Sequence, residues 1–179
     1  DQALSQSSLA VLCNINFSRP LLASAVKKGR MVATDVHAIA NLEDAYNRDF
    51  MQAATILFMS DDKLPMPPEQ WTIQIWNRYP AEIIVIGMGK NGALLGLRDG
   101  HQMERIPAVT TRPVVNTIGA GDALFSSFLH GFLHTADPYT SLQKAVVFAS
   151  YKIGSVSAAD GFLTAPELEA LAADIYRVG

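Results

Sequence analysis

The chain has 179 residues, of which 49% are hydrophobic, and this composition supports one substantial core and excludes a disordered chain. Fourteen basic against 17 acidic residues give a formal net charge of −3, which argues against nucleic-acid and anionic-membrane partners and favours a small soluble ligand. No apolar run approaches the roughly 20 residues that span a bilayer. A single cysteine and the lack of a signal-peptide pattern in residues 1–8 favour a cytoplasmic location.

Short apolar runs alternate with longer helical segments over the first 90 residues, and this alternation predicts a parallel sheet with crossover helices. The predicted strands are residues 9–15, 31–35, 55–59 and 82–86. The first predicted helix is formed by residues 19–28 and ends before Gly29, and the second is formed by residues 42–53 with Asn41 as its N-cap. The third begins at Pro67 and Pro68 and runs toward Tyr79. Because the chain has no internal repeat or linker-like stretch, we expect residues 1–179 to form a single α/β domain.

Three conspicuous side chains in these segments are interpreted as packing residues. Cys13 ends the apolar run of residues 9–13, so we expect it to be a buried small hydrophobe. Trp71 and Trp76 lie on the third predicted helix, where packing is the simplest role.

A glycine-rich turn follows the fourth predicted strand. Residues 87–92 read Gly-Met-Gly-Lys-Asn-Gly, which has the G-x-G-x-x-G spacing. A dinucleotide-binding turn would continue into a helix, with a ribose-binding carboxylate about 20 residues further on. Instead, residues 93–97 and 101–106 flank Arg98-Asp99-Gly100, which predicts a hairpin. The turn is therefore either structural or lies against a nucleotide phosphate.

A second glycine-rich turn precedes a strongly predicted helix. Residues 119–122 read Gly-Ala-Gly-Asp, after an extended segment at 112–116 and before a helix that reaches His134. The helix has one apolar face, formed by Leu124, Phe125, Phe128, Leu129, Phe132 and Leu133. Unpaired N–H groups at a helix start bind phosphate, so the turn predicts an anion cradle. Asp122 either accepts the proton of an attacking hydroxyl or stabilises the helix start as a capping residue.

Two segments resemble the PfkB/ribokinase-like carbohydrate kinases. The run Asn116-Thr117-x-Gly119-Ala120-Gly121-Asp122 is similar to the family's D-T-x-G-A-G-D signature, and residues 82–94 are similar to its T-x-G-x-x-G strand and turn. Gly161-Phe162-Leu163-Thr164, before the final helix, also fits. The resemblance implies a ribokinase-like three-layer α/β/α fold with a mostly parallel central sheet. It also implies the C-terminal part of such a kinase, without the N-terminal strands and the lid.

The resemblance also implies a function for the two turns. Asp122 is then the general base, the amides of Gly119, Ala120, Gly121 and Asp122 form an anion hole, and Gly89 and Gly92 approach ATP. The implied reaction is ATP-dependent phosphoryl transfer to a hydroxyl of a sugar or related small molecule, with Mg²⁺ arriving on ATP and no protein metal ligand assigned. A nucleoside kinase of the same fold and a noncatalytic nucleotide- or sugar-binding module or partner subunit stay open, as does a homo-oligomer.

Two positions depart from the family pattern. Asn116 replaces an Asp that in relatives helps bind a monovalent cation, which argues against activation by potassium. Ser60-Asp61-Asp62-Lys63 stands where many relatives have Asn-x-x-Glu. Asp61 and Asp62 are either outer-shell magnesium ligands or solvated carboxylates after a strand.

Histidines give weaker signals. His130 and His134 share a helical face, but Gly131 follows the first, where a zinc-protease motif has Glu. Both lie near a helix C-terminus, where histidine interacts well with the helix dipole, and this explains them better than a metal site does. Asp35 and His37 end a predicted strand, where they either border the substrate side of the sheet or form a plain turn.

Overall fold

A computed structural model describes residues 2–176. Its strands are β1 (Leu9–Val11), β2 (Met31–Asp35), β3 (Ile56–Ser60), β4 (Ile83–Gly87), β5 (Ala93–Leu97) and β6 (Gln102–Ile106). Its α-helices are α1 (Gln2–Gln6), α2 (Arg19–Lys27), α3 (Arg48–Ala53), α4 (Pro68–Arg78), α5 (Ala120–Thr135), α6 (Pro138–Lys152) and α7 (Ala165–Tyr176). None of these described helices combines the length and the apolar character that crossing a bilayer requires.

The strands form one six-stranded sheet in the order β1 to β6. Strands β1 to β4 pair in parallel, with Ala33 opposite Ile56 and Ile56 opposite Ile83. β3 and β4 are buried at four of their five residues because helices cover both faces of such a sheet. Only a few residues connect β4 to β5 and β5 to β6, and connections this short cannot form the crossover that a parallel pair requires. The predicted mostly parallel sheet and the hairpin at residues 93–106 are therefore confirmed.

The described residues divide into two compact units, of which the first contains residues 2–88 and Gly96–Glu104. In this unit, Gly96 lets α4 approach strand β5, because a Cβ at Gly96 would stand 2.8 Å from the Thr72 side chain and 3.1 Å from Trp76. Trp71 and Trp76 are 4% and 5% exposed, which confirms their packing role. Arg98 donates hydrogen bonds to the carbonyls of Trp76 and Ala81 and so ties the end of β5 to the end of α4.

The second unit contains Gly89–Leu95 and residues 105–176. Its core lies between α5 and α6, where Phe128 and Leu142 are completely buried. Asp137 begins α6 by accepting hydrogen bonds from the backbone N–H groups of Tyr139 and Thr140, at 3.0 and 3.2 Å. Further along α6, the ammonium group of Lys144 pairs with Glu169 of α7 at 2.6 Å.

Two expectations for the first unit were wrong. The helix predicted at residues 42–53 is formed only from Arg48. Asn41 and Asp44 use their side-chain oxygens to accept hydrogen bonds from backbone N–H groups two residues ahead, which folds the segment into turns that compete with helix.

The strand predicted at residues 9–15 ends at Val11, and Cys13 is exposed rather than buried. The chain turns away after the strand, and the hydroxyl of Ser18 fixes this turn by donating to the carbonyls of Cys13 and Ile15. Cys13 therefore lies in the turn and not in the sheet.

Candidate functional site

The start of helix α5 carries the predicted anion cradle, and the segment before it is fixed on the loop that follows α6. The backbone N–H groups of Val115 and Asn116 donate to the carbonyl of Ile153, at 2.8 and 3.0 Å. The side chain of Asn116 donates to the carbonyl of Val156 at 2.9 Å and accepts from the N–H of Ile118 at 3.0 Å. Asn116 thus holds the turn in place through its own amide group.

The turn itself presents unpaired N–H groups. Gly119, the N-cap of α5, has φ of +82°, a left-handed conformation that glycine adopts without strain. The N–H of Ala120 turns back to the carbonyl of Thr117, at 3.2 Å. Within residues 2–176, the N–H groups of Gly119, Gly121 and Asp122 donate to no other residue. A Cβ at Gly121 would meet nothing within 4 Å, so this face of the helix start is open.

The carboxylate of Asp122 lies in the first turn of α5 beside these N–H groups. The side chain is exposed, and within residues 2–176 its oxygens form no hydrogen bond or ion pair. A capping residue would accept a hydrogen bond from the helix start, and none is present there. The capping hydrogen bond is therefore absent, but a first-turn carboxylate stabilises a helix start through the helix dipole without such a bond, so both interpretations of Asp122 stay open.

The other glycine turn contains two glycines with different surroundings. Gly89 has φ of +52° and open space where a side chain would stand. Gly92 has φ of +88°, and a Cβ there would lie 2.0 Å from the carbonyl oxygen of Ile106 and 2.6 Å from the nitrogen of Ala108. This close approach of the backbone explains why residue 92 is a glycine without any need for a ligand. Strand β5 begins at Ala93, where a dinucleotide-binding turn would continue into a helix.

Two basic side chains of the second unit were missed by the sequence analysis. The guanidinium of Arg112 lies over the ring of Tyr151, 3.8 Å from its centroid, and donates to the carbonyl of Tyr151 and the hydroxyl of Ser155. Lys152, at the end of α6, is 2% exposed, and its Cε lies 3.4 Å from the point where a Cβ at Gly119 would stand. The periodicity of α6 contained a signal for Lys152, because it follows the buried Ala145 by seven residues and therefore shares its face.

The acidic run at the end of β3 belongs to the first unit. The N–H of Asp61 donates to the carbonyl of Gly87, and that of Asp62 donates to the hydroxyl of Ser60. Burial, and then the charge of Asp62, raise the pKa of Asp61. In the part of the chain that the structure describes, no three His, Cys, Asp or Glu side chains come together in one cluster.

Asp35 and His37 form a turn at the end of β2. The carboxylate of Asp35 accepts a hydrogen bond from the N–H of His37 at 2.8 Å, and the imidazole lies 3.7 Å from the same carboxylate. This geometry agrees with the interpretation as a plain strand-to-loop turn.

His130 and His134 lie on α5. The ring of His134 donates to the carbonyl of His130, 2.7 Å away, so this histidine is bonded to the backbone of its own helix near the C-terminal end.

Comparison with known proteins shows which family this chain belongs to. The sequence pattern of the pfkB family carbohydrate kinases matches residues 24–165. The 5-dehydro-2-deoxygluconokinase of Listeria innocua is 34% identical over 105 residues, which cover 59% of this chain and 32% of that relative.

Solved structures share the fold. A microbiome-derived acarbose kinase superposes with a TM-score of 0.88 at 27% identity, covering 96% of this chain and 58% of that one. Arabidopsis thaliana ribokinase, complexed with ribose and ATP, superposes with a TM-score of 0.81 at 16% identity, covering 96% and 57%. The predicted ribokinase-like three-layer α/β/α fold is thereby confirmed. The chain spans less than two thirds of the length of these relatives.

Proposed function

The chain belongs to the pfkB family of carbohydrate kinases, and from this membership we propose that it carries the phosphate-binding and proton-accepting groups for ATP-dependent phosphorylation of a sugar or related small molecule. The observation that carries the proposal is the start of α5. There, three unpaired N–H groups lie beside a carboxylate that has no partner within residues 2–176.

The N–H groups of Gly119, Gly121 and Asp122 are suited to an anion. They point from a helix start, where the aligned peptide dipoles add partial positive charge. A hydrogen bond to a charged group contributes about 1.5–3 kcal/mol, so two or three of them would hold a phosphate firmly. The open space at Gly121 lets the phosphate come within reach of the backbone. The turn of Gly89 is open in the same way, and Gly92 supports that turn by its approach to the backbone of residues 106–108.

Asp122 has the free carboxylate that proton transfer requires. In the proposed step it accepts the proton of the acceptor hydroxyl, whose oxygen then forms the new bond to the terminal phosphorus of ATP as the bond to ADP breaks. The N–H groups of the turn stabilise the negative charge that develops on the transferred group. Mg²⁺ would arrive bound to the ATP phosphates and offset their charge, and no residue of the chain is assigned to it.

Replacing Asp122 with Asn tests the role of the carboxylate. The change keeps the shape of the side chain but removes its ability to accept a proton, so we expect turnover to fall by about 10² to 10⁴ while the affinity for MgATP is largely kept. Asp174→Asn is the matched control, since Asp174 is an exposed aspartate on a different helix, α7.

The assay uses the full-length gene product with MgATP and a panel of acceptors that includes ribose, 5-dehydro-2-deoxygluconate, acarbose and nucleosides. The first three follow from the names of the relatives, and the nucleosides test the nucleoside kinase of the same fold. Unchanged turnover in Asp122→Asn would rule the mechanism out. Thermal stabilisation by MgATP without turnover on any acceptor would instead support a noncatalytic nucleotide-binding module.

A further inference from the structure

Lys152 is a buried cation without a carboxylate partner. It lies in the last turn of α6 and is 2% exposed, which ranks it among the largest completely buried side chains of the described residues. Its ammonium group donates to the carbonyl of Ser157 at 2.6 Å and lies 5.9 Å from the ring centroid of Phe162. Within residues 2–176, it forms no ion pair. Lysine is almost never fully buried unless it is paired.

The position of this charge is informative because it lies directly behind the glycine turn. The Cε of Lys152 is 3.4 Å from the point where a Cβ at Gly119 would stand, so the lysine packs against the backbone whose N–H groups are unpaired. A buried ammonium with one hydrogen bond is costly, and a methionine would fill a similar volume without that cost. Its proximity to the end of α6 offsets part of the cost through the helix dipole. An anion on the front of the turn would complete the compensation.

We propose that Lys152 is a positioning residue that supplies a fixed positive charge behind the start of α5 and strengthens the hold of that turn on the phosphate chain of a nucleotide. The inference rests on the proposed function, because that function places the phosphate at the turn. Lys152 acts through the backbone of Gly119 and does not itself touch the phosphate. It also fixes the loop after α6 through the carbonyl of Ser157, and this second contact is structural.

The test compares charged and neutral side chains at this position in the full-length gene product. Lys152→Met removes the charge and keeps the length, Lys152→Gln removes the charge and keeps a donor for the Ser157 carbonyl, and Lys152→Arg keeps the charge. Lys144→Met is the matched control, because Lys144 lies on the same helix and pairs with Glu169 at 2.6 Å. The probes in calorimetric titrations are MgADP, which carries phosphates, and adenosine, which carries none.

The neutral variants should bind MgADP about 10- to 100-fold more weakly, with adenosine affinity close to wild type, because the charge facing the phosphates is lost. Lys152→Met should also melt at a lower temperature than Lys152→Gln, because it leaves the carbonyl of Ser157 without its donor. Lys152→Arg and Lys144→Met should bind MgADP with the affinity of wild type. Added salt should weaken MgADP binding less in Lys152→Met than in wild type, because the variant has one charge fewer to be screened.

Three results would overturn the inference. One is wild-type MgADP affinity in the neutral variants. Another is an equal loss for MgADP and adenosine, which indicates a distorted site. The third is the failure of both neutral variants to fold, which assigns the lysine to the fold alone. A wild-type protein that binds no nucleotide defeats the proposed function as well, whereas normal wild-type binding with an unaffected Lys152→Met defeats only this inference.

Discussion

Replacing Gly121 with alanine separates the phosphate-binding role of the turn from its structural role. Gly121 lies in the first turn of α5, and a Cβ there would meet nothing within 4 Å. Alanine therefore fits without displacing any atom of the described chain. Because glycine within a helix is about 0.5–1 kcal/mol less favourable than alanine, the free energy of unfolding should be unchanged or raised by up to that amount.

The same methyl group would occupy the space through which a phosphate reaches the N–H groups of Gly121 and Asp122. Loss of one hydrogen bond to a charged group costs about 1.5–3 kcal/mol. At 1.4 kcal/mol for each factor of ten, MgATP should bind about 10- to 100-fold more weakly. The expected combination is thus a protein that is as stable as wild type but deficient in nucleotide binding.

Two measurements check this prediction: urea denaturation without nucleotide, and titration of MgATP followed by the shift in melting temperature. Gly131→Ala is the matched control on the same helix, since its Cβ would stand 3.1 Å from the hydroxyl of Ser141. It should lower stability modestly without changing nucleotide affinity. Wild-type MgATP affinity in Gly121→Ala, or a loss of stability with no separate effect on binding, would refute the reasoning.

Two further changes test the structural roles found around the site. Gly92→Ala should lower the free energy of unfolding by about 3 kcal/mol or more in denaturant melts, because the new Cβ collides with the backbone of residues 106–108 and the residue has a strained positive φ. Gly89→Ala has only the strained φ and should cost about 1 kcal/mol. Equal effects of the two changes would contradict the argument. Asp137→Ala should cost about 1 kcal/mol at pH 7 by removing the N-cap of α6. The hydroxyl of Thr140, with the backbone N–H groups of Thr140 and Tyr139, lowers the pKa of Asp137, so its contribution is present above the ordinary aspartate pKa and is lost as the pH falls through the lower folded value. The stability difference between wild type and Asp137→Ala should therefore shrink in acid, and a difference that stays constant down to pH 2 would count against the cap.

The parts of the fold that could be predicted from the sequence are those where local signals agree. Continuous apolar runs marked β3 and β4, and Pro67 and Pro68 marked the start of α4. The start of α3 was predicted wrongly because Asn41 has the same local chemistry whether it caps a helix or closes a turn. Cys13 was misplaced because an apolar run does not reveal where its strand leaves the sheet.

The candidate site shows the same division. The helix start at Gly119 and the location of Asp122 followed from glycine spacing and helical periodicity. The difference between Gly89 and Gly92 could not be predicted, because it depends on the backbone of residues 106–108, which meets only one of them. Arg112 had no local signal either, since its partners lie 39 and 43 residues further along the chain. Whether Asp122 accepts the proton of the acceptor hydroxyl stays a prediction for the Asp122→Asn experiment, and the approach of Gly89 to ATP also stays a prediction.

The side chain of Arg112 has a consequence for how this region can vary during evolution. Added Cβ atoms at Gly154 and Gly161 would stand 2.2 and 2.8 Å from its guanidinium nitrogens. The arginine therefore occupies volume that a larger residue at either glycine would need. Drift at Arg112 and Gly154 is expected to be correlated: a homologue that acquires a side chain at Gly154 must also exchange the arginine for something shorter. At Gly161 that exchange is not enough, because a Cβ there would also stand 2.0 Å from the hydroxyl of Ser155 and the residue has a φ of +79°.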